Sequence, residues 1–277
     1  MTDGLFRLDG RVALVTGAGG SFGRAIARGF ARAGARLFLT DVNATTLAET
    51  ARQVEAEGGR CATWPGDTGS SADVDAVFAH LDEAFGQIDV LVNIAGIGGA
   101  RKRPDTYPLE DWEQTLRVNL TGPFLTCRAA GHRMIARGRG GSIVNVSSIA
   151  GSSSLGRGSL AYGASKSGLD ELTRELAVEW ARHRIRVNAV KPCQFLNEGW
   201  RARVADPAEA PLVARVISGI PMGRMGEPEE LLGPVLFLAS DAASMVTGVL
   251  LPVDGGNLAL NPTGTVWTEE TSTRSPG

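Results

Sequence analysis

The chain predicts a single-domain α/β fold, a doubly wound parallel sheet held between two helical layers, and three observations carry that expectation. Short β-rich runs alternate with longer helical stretches along the chain. The first apolar run, Val12-Ala13-Leu14-Val15, leads through Thr16-Gly17-Ala18-Gly19-Gly20-Ser21-Phe22-Gly23 straight into the helix-forming Arg24-Ala25-Ile26-Ala27-Arg28. The second run, Leu37-Phe38-Leu39-Thr40, ends on an acid, Asp41. Parallel strands need crossovers long enough to hold a helix, and such sheets take their ligands at the carboxyl ends of the strands.

Taken in order, strands are expected at 12–16, 37–41, 61–65, 90–93, 142–146, 186–190 and 249–253. Helical patterns surround Phe30 and then occupy 47–57, 74–85, 112–135, 169–181 and 231–239, long enough to cover both faces of the sheet. Two segments break the alternation. Residues 192–226 hold no convincing strand and include Trp200, Pro207, Pro211 and Pro221, so a substrate lid is expected over about 194–219. From 261 to 277 the chain is polar and ends in Thr-Ser-Thr-Arg-Ser-Pro-Gly, the pattern of a flexible tail after a domain covering 1–260.

Composition narrows the function classes. With 28 basic and 30 acidic side chains the formal charge is −2, which argues against a basic nucleic-acid-binding surface. Cys61, Cys127 and Cys193 are an odd number without metal-ligand spacing and fit a reducing cytoplasm. His80, His132 and His183 are scattered, so no metal site is expected. The N-terminus lacks a charged-then-apolar pattern and no apolar stretch nears the ~18 residues of a membrane span, so neither a signal segment nor a span is expected.

Chemistry is legible at two places. A strand, a glycine-rich turn and a helix make a phosphate-binding arrangement: glycines let the backbone approach a pyrophosphate, and the helix N-terminus offers it free N–H groups. The acid at Asp41 stands where a ribose diol could be bound. Further along, Tyr162 and Lys166 lie four residues apart, on one face of any helix that carries them. A nearby cation favours a phenolate, so the pair reads as an acidified tyrosine able to exchange a proton with a substrate oxygen. Tyr107, in a Pro-flanked loop, is the one rival phenol.

Together these motifs resemble the short-chain dehydrogenase/reductase family from about Gly10 to Asn257, with Asp67, Asn93-Ile94-Ala95-Gly96, Ser147-Ser148, Thr247-Gly248 and Asp254-Gly255-Gly256 completing the pattern. The resemblance implies a Rossmann-like fold and an NAD-dependent oxidoreductase. It makes Tyr162 the general acid/base, Lys166 the group that lowers its pKa and holds the nicotinamide ribose, and Ser148 the holder of the substrate oxygen, with Ser147 as a locally bonded alternative. Asn119 would bend its helix and seat a water for proton relay. NAD contacts would come from Gly17, Gly20, Ser21, Phe22, Gly23, Asp41, Asp67, Thr68, Asn93, Ala95, Gly96, Pro192, Phe195 and Asn197 as well as from Tyr162 and Lys166.

The chain departs from the family pattern at Ser21, Ile94, Cys193 and Asn197, mostly on the nicotinamide side. Small residues at Gly96, Gly98, Ala150 and Gly151 leave room for a polyol, sugar or cyclic secondary alcohol, or the matching carbonyl compound, and Trp200 with Arg201 or Arg203 is expected near it. By family analogy the partner is a second copy of the chain, in a homotetramer built on the helices at 112–135 and 169–181. Two competing readings stay open: a 3-ketoacyl-(acyl-carrier-protein) reductase using NADPH, and a catalytically silent nucleotide-binding protein.

Overall fold

The computed structural model describes residues 4–260, so the tail expected at 261–277 lies outside the described residues. The strands are β1 (Val12–Thr16), β2 (Arg36–Thr40), β3 (Arg60–Thr63), β4 (Val90–Asn93), β5 (Gly141–Val146), β6 (Ile185–Pro192) and β7 (Leu250–Val253). The helices are α1 (Ser21–Arg32), α2 (Ala44–Ala56), α3 (Ser71–Phe85), α4 (Leu109–Leu116), α5 (Gly122–Arg137), α6 (Leu160–Trp180), α7 (Glu198–Ala205), α8 (Ala210–Ser218) and α9 (Leu232–Ala239).

All strands pair in parallel, in the order β3-β2-β1-β4-β5-β6-β7. The chain moves outward from β1 to β3 and then returns to the other side of β1, so the strand order reverses between β1 and β4. A crevice opens at that reversal, above the carboxyl ends of the strands. Residues alternate across the sheet: Ala13, Val15, Leu37, Leu39 and Val92 pack with Ile26 and Phe30 of α1 and Val235 and Leu238 of α9. On the other face Leu14, Phe38, Leu91 and Ile143 pack with Phe78 and Leu81 of α3 and Met134 of α5. Burial on both faces explains why the strands read as continuous apolar runs.

Each expected strand is present: β1 and β4 have the expected bounds, and the others differ by one or two residues at an end. β3 stops at Thr63 rather than 65; Trp64 still donates to Leu39 O (3.1 Å), but Pro65 has no N–H to continue the ladder. Helix boundaries differ more. The helix expected at 112–135 is divided into α4 and α5 by a π-helical turn over Arg117–Thr121. α6 begins at Leu160 rather than 169, despite the weak helix propensity of Gly163, Ser165 and Ser167: buried Ser165 donates to Tyr162 O within the helix (2.7 Å) and accepts a tertiary bond from Asn119 Nδ2 (3.2 Å). The expected lid folds as α7 and α8, anchored by Trp200 and Leu212 against Val216, Ile220 and Met225. Among the described residues no helix is long and apolar enough to cross a membrane, and no group of three metal-binding side chains converges.

Candidate active site

The crevice is a cleft of about 710 Å³, and the glycine-rich turn forms one wall. Gly17 has φ +64°, and a Cβ there would lie 2.8 Å from Ala95 N, so only glycine lets β1 and the end of β4 approach this closely. Gly20 caps α1 in extended conformation (φ −80°) with no side chain bonded to the helix N–H groups, which leaves them for a ligand. Ser21 simply begins the helix, and its replacement of a glycine leaves the turn unstrained. Just beyond β2, Asp41 accepts Gly19 N–H at 3.0 Å and Asn43 N–H at 2.9 Å, one on each carboxylate oxygen. A carboxylate has about four lone-pair sites, so two remain for further donors. The N–H array, the glycine approach and the acid together fit an adenine dinucleotide.

Other expected cofactor residues take different places. Asp67 and Thr68 line the cleft, but Asp67 is engaged by Gly69 N–H (2.8 Å) and by Arg117 of the π turn (2.7 Å). Asn93, expected beside the cofactor, does not line the cleft: its amide donates to Asn145 Oδ1 (2.9 Å) and accepts from Thr126 (2.7 Å), bracing the sheet from behind. Ala95 and Gly96 line the cleft, and Thr16 Oγ1 accepts the N–H groups of Ile94 and Ala95 at 3.0 and 3.2 Å. Phe195 packs edge-on against Phe22 with ring centroids 5.2 Å apart, and Pro192 lies beside them on the cleft wall. Asn197 reaches the cleft but spends its side-chain oxygen capping α7, accepting Trp200 N–H at 3.0 Å. Burial, followed by the charge of Asp254, raises the Cys193 thiol to about 11, which makes it a poor nucleophile.

At the other end of the cleft stand Ser148, Tyr162 and Lys166. Ser148 sits where β5 ends, capping a short 3₁₀ turn by accepting Ala150 N–H at 3.1 Å. Lys166, 4% exposed, donates from Nζ to Val146 O (2.9 Å) and lies 5.8 Å from the centroid of the Tyr162 ring. Burial lowers its pKa to about 8, with Asp170 opposing. The Tyr162 phenol is moved upward, not downward: burial raises its pKa and the neighbouring Ser148 hydroxyl opposes that rise. This corrects the acidified tyrosine expected from spacing alone, because Lys166 is itself desolvated and its ammonium is turned to a carbonyl.

The alternatives sort themselves by their bonds. Tyr107 donates its hydroxyl to Ala100 O (3.1 Å) and lies outside the cleft. Ser147 donates to Asp170 Oδ1 at 2.6 Å and is held locally. Asn119 sits in the π turn, accepting Ile97 N–H and donating to Ile97 O, both at 2.8 Å, so it pins the segment that follows β4. Gly96 and Gly98 line the cleft as expected, whereas Ala150 and Gly151 do not; Gly151 packs on the Lys166 backbone and the Asp170 carboxylate. On α7, Arg203 and Trp200 line the cleft, while Arg201 pairs with Glu227 elsewhere.

Sequence reasoning missed three features here. Asp170, one turn beyond Lys166 on α6, forms a buried ion pair with Lys191 of β6 directly beneath the site. The i, i+4 spacing of Lys166 and Asp170 was a visible signal; the link to Lys191 was not. Arg157 and Arg101 also line the cleft, from two irregular loops where no periodicity marks them.

Residues 17–257 match the family described as Enoyl-(Acyl carrier protein) reductase. D-threitol dehydrogenase of Mycolicibacterium smegmatis is 41% identical over 253 residues, covering 91% of this chain and 94% of that protein. The structure of NAD+-bound xylitol dehydrogenase matches with TM-score 0.84 at 34% identity, covering 90% of this chain and 99% of its own. An NADP-bound structure from Beutenbergia cavernae, described as an NAD(P)-dependent gluconate 5-dehydrogenase, also has TM-score 0.84, with 40% identity and coverage of 92% and 99%. Similarity over 90% or more of the chain to proteins of this kind, on a parallel sheet that brings Ser148, Tyr162 and Lys166 into one cleft, identifies the chain as a member of the short-chain dehydrogenase/reductase family.

Proposed function

We propose that this protein is an NAD-dependent oxidoreductase that interconverts a secondary alcohol and its ketone, with a polyol or sugar as substrate. The observation that carries the reading is the placement of Ser148, Tyr162 and Lys166 at the end of the same cleft whose far wall is the Gly17–Gly23 turn and Asp41. A nicotinamide cofactor held in the cleft would supply the hydride chemistry at the substrate carbon. Ser148 and Tyr162 hold the substrate oxygen; on oxidation its proton passes to the phenolate oxygen of Tyr162, and on reduction Tyr162 returns it. Lys166 favours the phenolate when charged and supports the cofactor ribose. Asn119 acts from behind, fixing the Gly96–Ile97 segment that would support the nicotinamide side of the cofactor.

Asp41 supports NAD over NADP, since its free lone pairs accept a ribose diol and its charge repels a 2′-phosphate. The relatives that act on threitol and xylitol support the substrate class. Measuring kcat/KM with NAD and NADP across alditols, sugars and acyl thioesters tests both parts. The expected result is a polyol substrate with NAD preferred, relaxed in Asp41→Ser; a wild-type preference for NADPH removes the cofactor assignment, and turnover of acyl thioesters alone removes the substrate class.

The reading extends to a cytoplasmic homotetramer. Phe124 on α5 (44% exposed) and Val178 on α6 (77% exposed) are apolar side chains presented to solvent by adjacent helices, as an interface between copies requires. Sedimentation equilibrium reads the state directly; a monomer at micromolar concentration removes it.

A further inference from the structure

The substrate end of the cleft carries more positive charge than proton exchange at Tyr162 needs. Arg157 lies half-buried between two glycines of positive φ, Gly156 (+63°) and Gly158 (+69°), in the loop that joins β5 to α6. A Cβ on Gly158 would fall 2.8 Å from Lys102 O, and Lys102 N donates to Gly158 O at 3.3 Å. That clasp ties the Arg157 loop to the segment carrying Arg101, and both arginines line the cleft that contains Ser148 and Tyr162. Arg203 of α7 lines it as well. Glu209 engages Arg203 at 2.7 Å, whereas neither Arg101 nor Arg157 makes an ion pair among the described residues. Burial, then Arg101, Arg215 and Arg203, depress the Arg157 pKa, and no carboxylate opposes them.

Like charges held together in a partly desolvated place disfavour one another until an anion joins them. A guanidinium fork binds carboxylate or phosphate through two parallel bonds, and a neutral hydroxyl cannot supply that neutralisation. We infer that the substrate is anionic, a polyol or ketose whose carbon chain ends in a carboxylate or phosphate, gripped by Arg157 with Arg101 beside it while Ser148 and Tyr162 hold the reacting oxygen. This rests on the proposed reading of the cleft as the site of alcohol oxidation and names the substrate's far end. Gly156 and Gly158 supply the positive-φ turns on either side of Arg157, and the close approach of Gly158 to Lys102 holds that loop against the Arg101 segment.

The experiment uses the purified full chain with NAD and matched sets of four, five and six carbons, each set containing a neutral alditol, its aldonate and its terminal phosphate. In the set turned over best, the charged member is expected to exceed the neutral one by at least about tenfold in kcat/KM, mostly through KM. Arg157→Gln should lower the charged member's kcat/KM by about 10- to 100-fold and bring the charged-to-neutral ratio close to one, with Arg157→Lys restoring part of the preference. Arg101→Gln, at an exposed position, is expected to act in the same direction more weakly. Preference for aldonate or for phosphate identifies the anion. Neutral alditols as the best substrates, or a ratio that survives Arg157→Gln, would overturn the inference. Should no set be turned over, the proposed function fails, and calorimetry with D-gluconate and with inorganic phosphate decides the arginine site separately. Binding that is lost in Arg157→Gln sustains it, and an absence of binding to the wild type removes it.

Discussion

Lys166 is charged in a place that penalises charge, and this makes the residue scale measurable. Its pKa falls from 10.5 to about 8 because burial disfavours the ammonium. Below about 8 both folded and unfolded chains hold the proton, so the penalty is present in full. Between about 8 and 10.5 the folded chain sheds it first, the unfolded chain binds more protons, and stability rises with pH. Lys166→Met lacks this contribution, so thermal unfolding from pH 7.5 to 10 should show wild type gaining on the variant, by at most roughly 3 kcal/mol at about 1.36 kcal/mol per pKa unit. For Tyr162 the protonation state each direction needs sets the sign of activity: oxidation, which needs the phenolate, should accelerate with rising pH, and reduction, which needs the phenol, should slow, with burial moving the change toward higher pH. Flat profiles in both directions, with chemistry rate-limiting, would remove Tyr162 from proton transfer. Tyr162→Phe is expected to lose at least about a hundredfold in kcat, the lower range for general acid–base catalysis, while NAD binding by fluorescence titration changes only a few fold. The pairing of phenol and ammonium was legible in the sequence; the direction of the phenol's pKa was not, because spacing says nothing of how deeply a side chain is buried.

At the scale of elements, the π turn between α4 and α5 does more than interrupt a helix. Asn119 meets both backbone groups of Ile97 from that turn, so Asn119→Ala should strip two hydrogen bonds from the segment after β4 and cost about 1–3 kcal/mol in urea unfolding. The same variant should lower kcat/KM by loosening the wall formed by Gly96, and unchanged kinetics would confine Asn119 to stability. On the lid, Trp200 both packs on the Val216 cluster and lines the cleft, so Trp200→Ala should raise KM or lower kcat for the best substrate with NAD affinity altered by no more than a few fold. Strands were easy to locate because burial on both faces writes them as apolar runs. α6 was harder to bound, since its first turns are rich in Gly and Ser, and the bond from Asn119 to Ser165 that braces them comes from a segment far away in the chain. Helices α7 and α8 were illegible as helices because they bury little: α7 buries no residue fully and α8 only Val216.

Across the whole molecule, the cleft gathers residues from the loops that follow β1, β2 and β4, from the end of β5, and from α6 and α7, so a ligand that fills it fastens distant parts of the chain to one another. Adding NAD at about 100 times its Kd should stabilise the fold by about 2.7 kcal/mol, and NADP at equal concentration should raise Tm less. Fold class and strand positions followed from periodicity, whereas contacts between far-apart segments left no mark in it. The pair of Asp170 and Lys191 is the plainest case, joined only once α6 lies against β6. Removing either partner strands a buried charge, at a cost of about 3–5 kcal/mol, while an apolar pair of similar volume is tolerated or even favoured. Asp170→Leu and Lys191→Met should each unfold at markedly lower urea than wild type, and the double variant should recover most of the loss. The two positions are therefore epistatic: a lineage can leave this charge pair only by crossing a poorly folded intermediate, and a mutant library that varies one position without the other searches mainly among chains that do not fold.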